Sequence, residues 1–141
     1  MSAYKKIECE IVDKKFLLDA LKLLGFEPEC HTEPVKLTGY KGDKRDEVAN
    51  IIIPKEQVNH FTGASNDIGF LWDAENKKYE LIVSEYDQAH KMHDRIIQAY
   101  VKVVLEEALA KNGFKIKVKT EDDILLQRRI TDLNIVARKI I

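Results

Sequence analysis

The sequence predicts an α+β fold, a mainly antiparallel sheet with two principal helices packed on one face. Three observations lead there. Two segments, residues 14–24 and 91–111, carry apolar side chains at helical spacing and run into a glycine. Several shorter segments alternate apolar and polar side chains with period two. The period-two segments also stand together between the helical ones, which suits hairpins better than a parallel, doubly wound sheet.

Residues 6–12 open the pattern, with Ile7, Cys9 and Ile11 on one face and Lys6, Glu8 and Glu10 on the other. Asp13 is placed to cap the next helix, and Val12 and Leu17 to staple its start. Leu17, Ala20, Leu21 and Leu24 form the stripe, and Gly25-Phe26 reads as a Schellman ending in which Phe26 folds back on Leu21. Residues 35–40 and 48–53 read as strands around a turn-like stretch, 41–46. Residues 67–72 and 78–85 form a second hairpin, with Asn76 the expected left-handed residue. The long second helix carries Ile96, Ile97, Tyr100, Val104 and Ala108, and stops at Asn112-Gly113-Phe114. Residues 114–118 and 124–130 then read as a last hairpin. The expected core includes Ile7, Cys9, Ile11, Leu21, Phe26, Tyr100 and Phe114. The organisation is one domain over 1–130, followed by an apolar docking segment, 131–141.

Composition narrows the function classes. At 141 residues, 45% hydrophobic, the chain can bury a core without staples. Its 23 basic and 24 acidic side chains nearly cancel, so no global field draws it to nucleic acid or an anionic membrane, and self-association is easily accommodated. The first residues lack the apolar stretch of a signal peptide, and runs such as Ile51-Ile52-Ile53 are too short to span a bilayer. A cytoplasmic location is expected, with Cys9 and Cys30 as buried free thiols and no disulfide.

Three stretches carry a family resemblance: Gly63-Ala64-Ser65-Asn66-Asp67-Ile68-Gly69-Phe70, Gln98-Ala99-Tyr100, and Ala110-Lys111-Asn112-Gly113-Phe114. With the opening strand and helix, they make the chain resemble, over residues 3–130, the hypothetical reading-frame family of algal plastids and cyanobacteria, together with bacterial domains of unknown function. Relatives often carry an aromatic residue where this chain has Asn66. The resemblance implies a small α+β domain without an established activity. It also implies a protein partner, an AAA-type ATPase, because relatives are associated with such genes.

The chemistry read from the residues themselves is sparse. Gly63 to Asp67 is neither a serine elbow nor a phosphate cradle, because both need the loop to open a helix and here a strand follows. It reads first as a turn whose Ser65, Asn66 and Asp67 bond local backbone, and second as a partner-binding loop. His90 and His93 stand one helical turn apart near Asp87 and Asp94, but His31 and His60 offer no recognisable third ligand, so no metal is expected. Glu106-Glu107 and Asp122-Asp123 read as solvated surface. Trp72, Tyr79 and Tyr86 read as cross-strand packing. Lys115, Lys117 and Lys119, with Arg128, form a basic row that could track a nucleic-acid backbone, although it lacks the interleaved aromatics of sheet-based RNA readers. An edge strand guarded by lysines is the simpler account.

The expectation that results is a non-enzymatic binding or adaptor domain acting through a protein partner, without a cofactor. Its candidate contacts are Gly63, Ser65, Asn66 and Asp67 in the loop, and Leu133, Val136 and Ile140 on an apolar stripe of the last segment. An RNA-binding domain using the lysine-lined hairpin is the second class, and an enzyme of unknown reaction the third.

Overall fold

The computed structural model describes residues 3–7 and 9–111. The expected hairpin with Lys115, Lys117, Lys119 and Arg128, the core residue Phe114, and the stripe of Leu133, Val136 and Ile140 lie outside them. In chain order the elements are β1 (Tyr4–Ile7), α1 (Lys14–Leu23), β2 (Glu29–Thr38), β3 (Lys44–Ile53), α2 (Lys55–Thr62), β4 (Ile68–Asp73), β5 (Lys78–Ser84), α3 (Glu85–Ala89) and α4 (Met92–Lys111). The strands form one antiparallel sheet in the order β1-β5-β4-β3-β2.

Local chemistry sets the boundaries of α1. The Asp13 carboxylate accepts from Phe16 N at 3.1 Å, which satisfies one of the orphan donors of the first turn. At the far end Gly25 takes φ +87°. Its N–H then reaches Lys22 O at 2.9 Å and that of Phe26 reaches Leu21 O at 2.9 Å, the paired bonds of a Schellman ending. Val12 is exposed, so the expected staple to Leu17 does not form. In its place the buried Tyr100 hydroxyl of α4 accepts from Val12 N at 3.2 Å and Asp13 N at 3.1 Å, seating the start of α1 on α4.

α1 and α4 cover one face of the sheet. Leu17, Ala20 and Leu21 from α1 and Met92, Ile96, Tyr100 and Val104 from α4 bury Ile51, Ile53, Ile68, Phe70, Leu81 and Val83 from the strands. Each such side chain contributes about 1.5–3 kcal/mol before ordering entropy. α4 is unbroken through Tyr100.

The second face is closed by the β2–β3 hairpin, which curls back over it. Leu37 and Ala49 from the hairpin's outer half pack on Ile52 and Ile82. Gly69 makes this possible, since a Cβ there would stand 2.7 Å from Ala49 Cβ and 2.9 Å from Leu37 Cδ2. The curl brings opposite edges together. Tyr4 of β1 donates its hydroxyl hydrogen to Asp67 O at 2.7 Å, and Arg45 of β3 lies 5.1 Å from the centre of the Tyr4 ring. The bend falls where the β2–β3 register shifts between the Cys30 and Val35 pairings.

Several expectations need correction. β1 stops at Ile7, and the chain beyond it meets β5 through Tyr79 N to Ile11 O at 2.7 Å instead of a continuous ladder. Ile11, Leu21, Phe26 and Tyr100 are buried as expected, but Ile7 and Cys9 are only half-buried. Both cysteines are free thiols, and Cys30 is exposed, because it sits on the edge strand β2. β2 starts at Glu29, well before residue 35. Lys77, not Asn76, takes the left-handed conformation in the β4–β5 turn. Asp73 explains this, since its carboxylate gathers Glu75 N, Asn76 N and the Asn76 amide. α2 and α3 are not foreseen in the sequence, and α3 begins at Glu85, where the 78–85 strand is expected to end. They are too short, at 8 and 5 residues, for a helical stripe to repeat.

Candidate functional site

Residues 63–67 follow α2, which Gly63 ends at φ +90°. The chain then turns inward, and Ser65, Asn66 and Asp67 are all buried. Asn59 of α2 receives Ser65 N at 2.6 Å, and the hydroxyls of Ser65 and Thr62 share a hydrogen bond. The other partners lie far along the chain. Asp67 Oδ2 accepts from Thr38 N and Oδ1 from Lys55 N, both at 2.8 Å, so one carboxylate ties β2 to the start of α2. Asn66 Oδ1 accepts from Tyr40 N at 2.8 Å. Asn66 N donates to Asp87 Oδ2 at 3.3 Å, which also receives the Ser84 hydroxyl at 2.9 Å. The local turn expected here is thus a junction joining β1, β2, α2 and α3.

Its electrostatics are those of a structural knot. Burial pushes the Asp67 carboxyl above its ordinary value, against the opposing pull of the Thr38 and Lys55 N–H groups. Asp87 is pushed up by the same cause, against hydrogen bonds from Ser65, Ser84 and Asn66. Burial raises the Tyr4 hydroxyl far above its usual range, and the Asp67 charge adds to this. Of the candidate contacts in this loop, only Gly63 is exposed. Asp67 does border a concavity of about 570 Å³ with Glu29, Lys36, Lys44 and Lys55, but both its oxygens are committed to backbone.

The histidines are separated by a break that the sequence reading missed. His90 follows α3 with its ring nitrogen 2.9 Å from Tyr86 O, and Lys91 takes φ +62° before α4 begins. His93 belongs to α4 and lies 3.4 Å from Asp94. Asp87 points instead to Ser84 and Asn66. Among the described residues, no three of His, Cys, Asp and Glu converge on a point where a metal could sit. Glu106 pairs with Lys102 at 3.8 Å, one turn back on α4.

Two further exposed apolar side chains lie elsewhere. Leu23, 57% exposed, stands near the end of α1, and Phe61, 42% exposed, near the end of α2. Phe26 meets the Phe61 ring with centroids 5.3 Å apart, and Arg95 of α4 lies 5.5 Å from that ring. Three clefts surround these residues. One of about 710 Å³ between α1 and α4 includes Leu23 and Val103, one of about 430 Å³ includes Phe26 and Phe61, and one of about 280 Å³ joins Leu23 to Arg95 and Lys102. The sequence held one signal for this surface, a leucine off the buried stripe of α1, but only the fold puts Phe61 and Arg95 in one place.

A family model described as a protein of unknown function (DUF1257) matches residues 20–124. The chain belongs to that family. The family region begins within α1 and takes in the junction at 63–67, Phe61, Arg95 and the described length of α4. No curated protein and no solved structure matches the chain. No helix among the described residues is long and apolar enough to cross a membrane.

Proposed function

We propose that this chain is a non-enzymatic binding or adaptor domain that acts through a protein partner. The observation that carries this reading is the Leu23–Phe61 surface, two large apolar side chains left in water with a guanidinium over the aromatic ring and clefts on either side. Aromatic and arginine anchors beside pockets are the usual centres of binding energy in protein interfaces. The cleft beside Leu23 is lined by Arg95 and Lys102 without a carboxylate, so the fitting partner is an amphipathic segment with apolar anchors and an acidic flank. The resemblance to a plastid and cyanobacterial family makes an AAA-type ATPase the first partner to test and the cytoplasm the proposed compartment. Balanced charge leaves self-association as the second mode.

The test is recovery of partners from the native host by wild-type protein and by Leu23→Glu and Phe61→Ala variants, followed by titration of purified pairs. Both positions are exposed, so the variants should fold. An ATPase held by wild type and released by either variant supports the reading. Equal recovery by all three refutes the surface. Salt-sensitive retention of nucleic acid, lost when Lys115, Lys117 and Lys119 are neutralised, would move the function to the RNA-binding class.

A further inference from the structure

We propose that the cleft beside Trp72 is a binding site for a small planar aromatic anion. The cleft exists because β3 parts from β4 after the Ile51–Phe70 pairing. The Asn50 side chain fills the gap in the ladder, accepting from Trp72 N at 3.0 Å and donating to Thr32 O at 3.2 Å. The opening is about 350 Å³, enough for a small ligand, and Val12, Lys14, His31, Asn50, Trp72 and Tyr79 line it.

The lining is chemically one-sided. Its ionisable groups other than the tyrosine are Lys14 and His31, and it contains no carboxylate. The concavity at Asp67 and the clefts at Val103 and Phe26 each contain at least one carboxylate, and the cleft at Arg95 has no aromatic ring. Two carboxylates stand just outside the lining, Asp13, which accepts from Phe16 N at 3.1 Å, and Glu29, whose oxygen lies 3.2 Å from the His31 ring, so Lys14 is the cation left for a ligand's anionic group. Lys14 is also the first residue of α1, where the partial positive charge of the helix start adds to its own.

The aromatic side is equally specific. Tyr79 holds Trp72 edge-on, with centroids 4.9 Å apart at 61°, and Trp72 is still 39% exposed. Tyr79 itself is only 7% exposed, yet its hydroxyl has no protein hydrogen-bond partner among the described residues. The hydroxyl is not shut away from water but opens on the wall of the cleft, where it can donate to an acceptor on a ligand. A planar ring against Trp72, an anionic group at Lys14, and an oxygen or ring nitrogen for Tyr79 use the three features together. Both an aromatic carboxylate and a nucleoside monophosphate have this chemistry.

Trp72 is the single tryptophan of the chain, so its emission reports on the site directly. The probes are benzoate and adenosine monophosphate, with benzyl alcohol and adenosine as uncharged counterparts and inorganic phosphate as the anion without a ring. Saturable quenching by either anionic probe is expected, weakened about tenfold or more when its charge is removed and also in Lys14→Gln. The stronger of the two probes identifies the source. Tyr79→Phe, which keeps the ring, should weaken binding severalfold with unchanged circular dichroism, and Leu23→Glu should leave it intact. The proposal is overturned by no saturable response to either anion, by equal response to the uncharged counterparts or phosphate alone, or by Lys14→Gln binding like wild type.

Discussion

Removing the Asp67 carboxylate tests whether the junction after α2 holds the fold together. Asp67→Ala takes away the acceptor of Thr38 N and of Lys55 N, each now met at 2.8 Å. Neither donor has another acceptor in reach of its strand or helix ladder, because Thr38 is at the end of β2 and Lys55 opens α2. An orphaned donor costs about 1–3 kcal/mol, and the part-buried setting of these two puts each nearer the lower end. The total loss is about 2–4 kcal/mol, a fall of about 6–16 °C in melting temperature for a domain of this size. Asp67→Asn should lose about half as much, since the amide keeps one acceptor and relieves a buried charge. Urea and thermal unfolding followed by circular dichroism measure both. A stability for Asp67→Ala within about 1 kcal/mol of wild type would refute the reasoning, because the two N–H groups would then have been satisfied by water all along.

Three further outcomes follow from the same geometry. Gly69→Ala gains about 0.5–1 kcal/mol from a stiffer unfolded chain but overpacks Ala49 and Leu37 by about 1–3 kcal/mol, so a net loss of about 1–2 kcal/mol is expected, with recovery in the Gly69→Ala/Ala49→Gly double variant by denaturant midpoint. Tyr100→Phe leaves Val12 N and Asp13 N without their shared acceptor and should cost about 1–3 kcal/mol by the same measurement, with hydrogen exchange rising first at the start of α1. Asp87, whose carboxyl is raised from 3.8 by burial, keeps a proton in the folded chain that the unfolded chain has already lost. Its contribution is therefore complete below that value and lost as pH rises through the folded one, so wild-type stability relative to Asp87→Asn should fall with rising pH and then level off, as read by urea midpoints across a pH series.

What could be read from the sequence was what local chemistry decides. Asp13, Gly25 and Phe26 act on neighbours within a turn, and α1 begins and ends where they dictate. The unbroken length of α4 was legible because its stripe repeats over 20 residues. α2 buries only Val58, so no period could announce it. The junction was misjudged because spacing says nothing about partners: the side chains of Asn66 and Asp67 look like turn formers, yet bind backbone at Tyr40, Thr38 and Lys55. Trp72, Tyr79 and Tyr86 all read as cross-strand packing; Tyr86 lies in α3, but Trp72 and Tyr79 do pair across β4 and β5. The cleft they wall was invisible, because it depends on the departure of β3 and on Asn50 bridging the gap.

The placement of β1 has a consequence for the order in which the molecule is assembled. It precedes the other described strands in the chain but, among the described residues, pairs only with β5, Tyr4 opposite Ser84 and Ile7 opposite Leu81. A ribosome therefore releases β1 long before its partner β5, and closing so long a loop is slow compared with forming the β2–β3 and β4–β5 hairpins. Those hairpins and α1 can organise while β1 waits, leaving the β5 edge open in the nascent chain. The Tyr4 hydroxyl can reach Asp67 O only once β1 has been brought to the rest of the sheet, so that bond belongs to the long-range closure and not to either hairpin.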